Sequence, residues 1–410
     1  MNCRMVLLAG ASCLLATMSL AEEAPLEGVT TYVSASEAAA LKVFVDRFDE
    51  EGGEWIDSAI AGGGTARATA IRRILGGDPP GAAQFVGRVT YQDLIEADLL
   101  KPMTNVAVEE NWQEILPPWM WEDLQYEGEV YAAPIQRQTQ TVLYYSQDAL
   151  EQAGIELPED SVEGFFGALD AFKAAGLIPF AASSDKSDLR RVFLAVTAAV
   201  GGPELYNRIY VDHDTDAVMT PEFLEVAKTY HRLYQYTDAG QYSRTAGDST
   251  NLLIEGKAGV QILGDWGKGD WLASGATQED FHCQYLGGIA VESFNVLIFP
   301  KSSDPGVAEA QDHFARVITA DPELQVDFTL HKGSIPTHVA ASTERLDDCA
   351  NMMVETVANP ETAVRDDLIS MPPQLSGAVA DVVIEFWNDQ SMAPETFAEK
   401  YAAALEANRP

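Results

Sequence analysis

The apolar residues near the start of the chain switch between the period of a strand and that of a helix. Within 28–53 they recur at i, i+3, i+4 and i+7, which indicates an amphipathic helix. These positions are Leu41, Phe44, Val45 and Phe48. Ser34 and Glu37 have the spacing of a capping box at the start of that helix. The strand-then-helix order returns at 57–75 and at 82–97, and repeated units of this kind predict a parallel sheet covered by helices.

Two long extended runs, 130–135 and 289–299, bracket the middle of the chain. A chain of 410 residues is too long for one ordinary hydrophobic core, so two domains are expected. No glycine- or serine-rich linker divides it, which favours lobes joined by crossing strands. We therefore predict an α/β fold with two lobes, each a mixed sheet flanked by helices, joined by hinge strands. The predicted lobes comprise 22–133 with 293–335, and 134–292 with 336–410.

The N-terminal residues have the features of a secretory signal peptide. Arg4 precedes an apolar run that ends at Met18, and a Ser-Leu-Ala tripeptide ending at Ala21 precedes acidic residues. The run is too short to span a membrane. We expect residues 1–21 to be removed after Ala21 and the mature protein to be exported to the periplasm.

Charge and cysteine content restrict the classes of partner. The chain has 26 Lys and Arg against 63 Asp and Glu, a formal net charge of −37, and such a field repels nucleic acid and anionic lipid. We expect no nucleic-acid partner. Cys283 and Cys349 follow the signal peptide, and in an oxidising compartment this even pair predicts a disulfide, with two separate buried thiols as the alternative. Without a CxxC motif they do not indicate a zinc site.

Motifs of enzymes are weak in this chain. It has no Gly-x-Ser-x-Gly elbow, phosphate loop or His-Glu-x-x-His sequence. The alternating aspartates of 212–216 resemble part of a calcium loop, but Ala217 and Phe223 stand where that loop requires glycine and glutamate. We therefore expect no catalytic residue, no metal site and no cofactor.

The segment 259–272, GVQILGDWGKGDWL, carries the strongest functional signal. An apolar strand ends at Leu263, and Asp265 and Trp266 follow where the chain leaves the sheet. An indole ring can stack on the apolar face of a pyranose while charged or amide side chains bind its hydroxyls. A strand end between two lobes suits such a small-ligand site. The alternative is a tryptophan that packs the base of a loop.

Six motifs occur in order along most of the chain. They are SEAAALKV at 36–43, AGGG at 61–64, PPGAAQ at 79–84, GDWGKG at 264–269, KGSIP at 332–336, and SGAV at 376–379 with DVV at 381–383. Together they resemble the solute-binding proteins of ABC-type sugar importers (extracellular solute-binding protein family 1), in particular the glucose/mannose-binding branch. The resemblance implies a type II periplasmic-binding-protein fold whose lobes close on a sugar by hinge bending. The two extended runs are then the hinge strands.

The resemblance also implies roles for individual residues. Trp266 is the expected stacking plate, with Asp265 beside it. Gln84 and Lys332 are expected to bind hydroxyl groups. Glu37 is expected to do the same, with the alternative that it only caps its own helix.

The chain differs from the glucose/mannose branch at several positions that are expected to contact the ligand. Tyr32 and Val33 stand where the branch has two tryptophans, and Val86 replaces a basic residue. Glu292 replaces an aspartate of the second hinge strand, and Arg137, near a histidine position of the first, is expected to supply a missing positive group. Because unpaired buried hydroxyls are costly, we expect a different or modified saccharide, with the alternative that residues such as Arg88, Arg137 and Trp271 refill the pocket. Tyr32, Arg137 and Glu292 are predicted to line the cleft with the residues above.

We therefore expect a monomeric periplasmic receptor that binds a mono- or small oligosaccharide and delivers it to the membrane subunits of an ABC permease, without enzymatic activity. One alternative is a secreted carbohydrate-active enzyme, in which Asp265 and Glu292 would form a carboxylate pair roughly 5–10 Å apart. Another is a receptor for a non-sugar solute such as a polyamine, against which the cations Lys332 and Arg137 argue.

Overall fold

The computed structural model describes residues 23–409, so the expected signal peptide lies outside the described residues. The strands of this part are β1 (Leu26–Val29), β2 (Trp55–Asp57), β3 (Ala82–Phe85), β4 (Gln125–Tyr126), β5 (Glu129–Val130), β6 (Ala132–Thr139), β7 (Val142–Ser146), β8 (Ile178–Phe180), β9 (Ala258–Leu263), β10 (Phe281–Tyr285), β11 (Ala290–Ile298) and β12 (Ala363–Arg365). Strands β4 and β5 form a separate two-stranded ribbon.

Helices surround the sheets. They are α1 (Ala35–Glu50), α2 (Gly63–Leu75), α3 (Gln92–Glu96), α4 (Thr104–Glu109), α5 (Trp112–Ile115), α6 (Pro118–Asp123), α7 (Gln147–Ala153), α8 (Val162–Ala174), α9 (Lys186–Val196), α10 (Gly202–Tyr210), α11 (Pro221–Leu233), α12 (Ala246–Ile254), α13 (Trp266–Ala273), α14 (Pro305–Ala320), α15 (Pro322–Lys332), α16 (Asp348–Ala358), α17 (Asp367–Ser370), α18 (Pro373–Asn388) and α19 (Pro394–Ala407). Within residues 23–409, none has the length and apolar character needed to cross a membrane.

The first sheet contains both long extended strands. Its order is β12–β11–β3–β1–β2, and β6 also pairs with β11. Strands β1, β2 and β3 are parallel, as the repeated strand-helix units predict. Strand β11 runs antiparallel to β3 and β6, so the sheet as a whole is mixed.

The second sheet has the order β10–β7–β9–β8. Strand β8 is parallel to β9, and β7 is antiparallel to both β9 and β10. Only Gln140 and Thr141 separate β6 from β7, and a short turn at 286–289 separates β10 from β11. The chain therefore passes between the sheets at two neighbouring places, next to the paired strands β6 and β11.

The buried apolar side chains form two large clusters. One surrounds the first sheet and draws on 26–135, on 294–328 and on Ile369. The other lies mainly within 143–262 and 371–405. We keep the names lobe 1 and lobe 2 for the divisions proposed from the sequence, and those boundaries remain a proposal.

Local signals decide how the first helices begin. The capping box at α1 is confirmed, because Ser34 accepts a hydrogen bond from the Glu37 N–H and the Glu37 carboxylate accepts one from the Ser34 N–H.

The strand predicted to start at residue 57 is wrong in position, since β2 ends at Asp57. Pairing of Leu26 with Trp55 sets that register, and a partner strand cannot be read from a local pattern.

The predicted disulfide between Cys283 and Cys349 is confirmed. The two Cα atoms are 5.5 Å apart, and the bridge closes a sequence separation of 66 residues. It ties β10, at the edge of the second sheet, to α16.

A double variant, Cys283→Ser with Cys349→Ser, is expected to lose about 3–4 kcal/mol of unfolding free energy, because the bridge restricts the unfolded chain. Urea denaturation followed by circular dichroism measures this loss. Dithiothreitol should destabilise the wild type to the level of the variant and leave the variant unchanged. Equal stability of the two proteins without reductant would contradict the prediction.

Candidate functional site

Gln84 lies on β3 at the edge where the parallel strands of the first sheet end. Its Oε1 accepts hydrogen bonds from the backbone N–H and the hydroxyl of Thr31, at 2.8 and 3.0 Å. The side chain is 5% exposed. Its amide nitrogen has no protein partner among the described residues. Gln84 is therefore oriented by Thr31 with a free donor.

Trp266 begins α13 directly after β9, and its side chain is partly buried. The indole lies against Gly264, where a Cβ would come within 1.9 Å of the ring. The Arg191 guanidinium carbon is 4.8 Å from the ring centroid, and Lys332 Nζ is 5.2 Å from it. Both distances permit cation–π attraction. The indole thus sits in a cationic environment.

Lys332 and Glu37 connect the C-terminus of α15 to the N-terminus of α1. Lys332 is buried, and its Nζ lies 3.3 Å from Glu37 Oε1. The other carboxylate oxygen of Glu37 accepts the Ser34 N–H of the capping box. Glu37 is therefore engaged by its own helix and by Lys332 together, and its contact with a ligand stays a prediction.

Asp265 is fully buried and holds the start of α13 on the first hinge strand. Its Oδ2 accepts the Thr139 N–H at 2.8 Å, and its own N–H donates to the Thr139 carbonyl at 3.0 Å. Burial raises the pKa of Asp265 to about 7, while Lys332 and Lys268 oppose that shift. The carboxyl group therefore positions the neighbouring Trp266.

Tyr32 is buried inside lobe 1. Its hydroxyl donates to Gln136 Oε1 at 2.9 Å, and its ring centroid lies 6.1 Å from that of Phe328. The adjacent Val33 is 52% exposed. The position where the resembled branch has an aromatic pair thus offers one ring, held in the core.

Arg137 and Glu292 pair with each other across β6 and β11. The guanidinium donates to Glu292 Oε2 from Nη2 at 2.8 Å and from Nε at 3.2 Å. Burial raises the pKa of Glu292, and the charge of Arg137 opposes that shift. Because side chains alternate along a strand, Arg137 points to the face of β6 opposite Gln136 and Gln138. The pair joins the hinge strands, and its predicted contact with a ligand stays a prediction.

A row of glutamines on β6 and at the residue just after it was missed by the sequence reasoning. Gln136, Gln138 and Gln140 recur at every second position and are all buried. Gln136 Nε2 donates to Gln138 Oε1 at 2.7 Å, and Arg191 Nε donates to Gln140 Oε1 at 3.3 Å. Asn295 of β11 lies beside Gln136 and Gln138. The signal was the alternation in PIQRQTQT, at 134–141.

These contacts bring most of the predicted residues together. Lys332 touches both Glu37 and Trp266, Asp265 precedes Trp266, and Tyr32 reaches the glutamine row that continues to Arg191. Arg137 and Glu292 form a separate pair. In residues 23–409, no three His, Cys, Asp or Glu side chains are arranged to hold a metal ion. The arrangement gathers an indole, buried amides and cations beside the strands that join the two sheets.

Two mixed β-sheets flanked by helices are joined by crossing strands, and polar side chains lie at the crossing. This is the architecture of two-lobed binding proteins. A family model described as bacterial extracellular solute-binding protein matches residues 34–282. A probable sugar-binding periplasmic protein of Brucella suis is 30% identical over 397 residues, which cover 94% of this chain and 93% of the relative. One from Rhizobium meliloti is 28% identical over 390 residues, 92% of each chain.

The chain therefore belongs to the bacterial extracellular solute-binding protein family, as the motifs indicate. Members of this family are binding proteins, so the expectation of no enzymatic activity is confirmed. The carbohydrate-active enzyme is excluded with it.

Solved structures show the same fold. A chitin oligosaccharide binding protein superposes with a TM-score of 0.80 at 17% identity, covering 94% of this chain and 99% of that one. A maltose-bound MalE3 of T. maritima gives a TM-score of 0.78 at 17% identity, covering 93% and 99%. The predicted two-lobed fold is confirmed by these likenesses.

Asp265→Asn is expected to flatten the pH dependence of stability. The folded pKa is about 7 and the unfolded value is about 3.9. The protonated carboxyl group therefore makes its full contribution to folding stability below about pH 4, and this contribution is lost as the pH rises through 7. Between pH 4 and 8, urea midpoints of the wild type should fall more than those of the variant, whose amide oxygen still accepts the Thr139 N–H.

Asp93→Asn, at an exposed aspartate of α3, is the matched control and should follow the wild type. A variant Asp265→Asn with the wild-type pH profile would show that Asp265 is ionised in the folded protein throughout this range.

Proposed function

We propose that this protein is a periplasmic receptor that binds a mono- or small oligosaccharide and delivers it to the membrane subunits of an ABC importer. One observation carries the proposal: Trp266 lies beside buried amide and charged side chains where the chain crosses between the two sheets. The relatives from Brucella suis and Rhizobium meliloti, named as probable sugar-binding proteins, support it. So do solved neighbours described as binding chitin oligosaccharide and maltose.

The chemistry of these side chains suits a saccharide. An indole offers a flat apolar surface for the C–H face of a pyranose, and the side chain of Trp266 is only partly buried. Amide groups of Gln84 and Gln140 offer donors that hydroxyl oxygens accept. Because these groups are held by Thr31 and Arg191, little ordering is required when the ligand binds.

The crossing strands suit a receptor that works by closure. Gln84 belongs to lobe 1, whereas Trp266 and Arg191 belong to lobe 2. A ligand that contacts both lobes favours the closed arrangement by its differential affinity for the closed over the open form. The permease then recognises the closed receptor, which we propose acts as a monomer.

Trp266→Ala should weaken saccharide binding by about 100-fold or more, because a central buried aromatic anchor carries a large share of binding energy. The measurement is a thermal-shift screen against mono- and disaccharides, glucose included, followed by calorimetry with each sugar that raises the melting temperature. Trp121→Ala, at a partly buried tryptophan of α6, is the matched control and should bind normally. A variant Trp266→Ala with wild-type affinity would exclude stacking on this ring.

A further inference from the structure

Two amide groups near the site keep free hydrogen-bond donors. Gln84 must point its oxygen at the Thr31 N–H, and Gln140 must point its oxygen at Arg191 Nε. In both residues the amide NH₂ therefore faces away from these partners, so the orientation is fixed by chemistry. The two side chains are 5% and 6% exposed. Neither NH₂ group has a protein partner in the part of the chain that the structure describes.

The acidic side chains near the site each have at least one protein partner, although Asp265 Oδ1 is buried without one. Their partners are Lys332 for Glu37, Arg191 for Asp188, Arg190 for Asp366 and Asp367, Arg137 for Glu292, and the Thr139 N–H for Asp265. A neutral saccharide needs acceptors for its hydroxyl protons as well as donors. Free amide donors beside carboxylates that are mostly paired with cations match a ligand group that only accepts.

The start of α2 adds positive charge at the same edge. The Ile60 N–H donates to the Thr30 carbonyl at 2.9 Å, which places this helix start beside Thr31 and Gln84. No side chain caps it, and Gly62, Gly63 and Gly64 leave its backbone open: a Cβ on Gly64 would meet nothing within 4 Å. Free N–H groups at a helix N-terminus attract anions.

Arg67 folds back over this helix start. Its Nη1 lies 3.2 Å from where a Cβ of Gly63 would stand. Between residues 23 and 409, the guanidinium has neither a hydrogen bond nor an ion pair. Burial, together with the nearby charge of Arg190, lowers the pKa of Arg67, and the charge of Asp366 opposes that shift. A partly buried guanidinium that has no ion pair and lies near a second cation can take an anionic partner.

We propose that the saccharide carries an acidic substituent, a carboxylate or a phosphate ester, which binds between Gln84, Arg67 and the open N-terminus of α2. This inference rests on the proposed function and specifies its substrate class. An ionised carboxylate or phosphate brings two or three acceptor oxygens without protons, and hydrogen bonds to charged groups are the stronger kind. It would satisfy the Gln84 NH₂ and neutralise Arg67 together.

Matched pairs of sugars test the proposal on the mature protein. The probes are glucose with glucuronate and glucose 6-phosphate, and galactose with galacturonate, measured by calorimetry. An acidic probe is expected to bind about 10-fold or more tightly than its neutral counterpart. A comparison of glucuronate with glucose 6-phosphate shows whether the site prefers a carboxylate or a phosphate ester.

Two variants locate the acidic group. Gln84→Glu keeps an acceptor for Thr31 but replaces the free donor with a negative charge, and Arg67→Gln removes the cation. Arg67→Gln should weaken the acidic probe by about 10-fold or more and leave its neutral counterpart within about 2-fold. Gln84→Glu should weaken both probes, and the acidic one by about 10-fold more than the neutral one. The matched controls Gln113→Glu and Arg72→Gln make the same changes at exposed positions of α5 and α2. Both should bind like the wild type.

The outcomes separate this inference from the proposed function. Neutral sugars that bind as tightly as their acids, or acidic probes unaffected by both variants, would overturn the acidic substituent while leaving a sugar receptor. If no sugar binds, sodium phosphate is compared with sodium chloride at equal ionic strength. A melting-temperature rise specific to phosphate that is lost in Arg67→Gln supports the anion site without a sugar receptor. The same melting temperature in both salts would overturn it.

Discussion

The antiparallel pairing of β6 with β11 is the constraint on which the rest of this molecule depends. It runs from Glu292 opposite Thr139 to Ile298 opposite Ala132, and the chain changes sheets just beyond it. The Thr139 N–H also donates a hydrogen bond to the Asp265 carboxyl group. This contact fixes the start of α13 and therefore the position of the Trp266 indole. The site is therefore built on the strands that join the two sheets. A movement of one sheet against the other would act directly on the groups around the site.

Buried charge around these strands is balanced in pairs. Removing one member of such a pair leaves the other uncompensated in a poorly solvating interior, which costs about 3–5 kcal/mol. The Arg137–Glu292 pair spans the hinge strands, and Glu37–Lys332 links two helices of lobe 1. Arg67, which is only partly buried, has no ion pair among the described residues.

Local signals in the sequence were sufficient for some features and insufficient for others. The α1 capping box and the Cys283–Cys349 bridge follow from nearby residues and from compartment chemistry. The Arg137–Glu292 pair joins residues 155 positions apart, so only the register of β6 against β11 reveals it. The glutamines of 136–140 were visible but misleading, because alternating polar residues usually indicate a solvent face of a strand. Their burial depends on the lobes that cover them.

The strongly negative surface does not conflict with a site rich in donors. At physiological ionic strength, charges separated by more than about 8 Å are largely screened. The net charge of −37 therefore governs solubility and the approach of a ligand, whereas affinity depends on the few groups in contact. Those groups are oriented amides and cations. The acidic surface slows the arrival of an anion at low salt, and the local donors determine how long it stays.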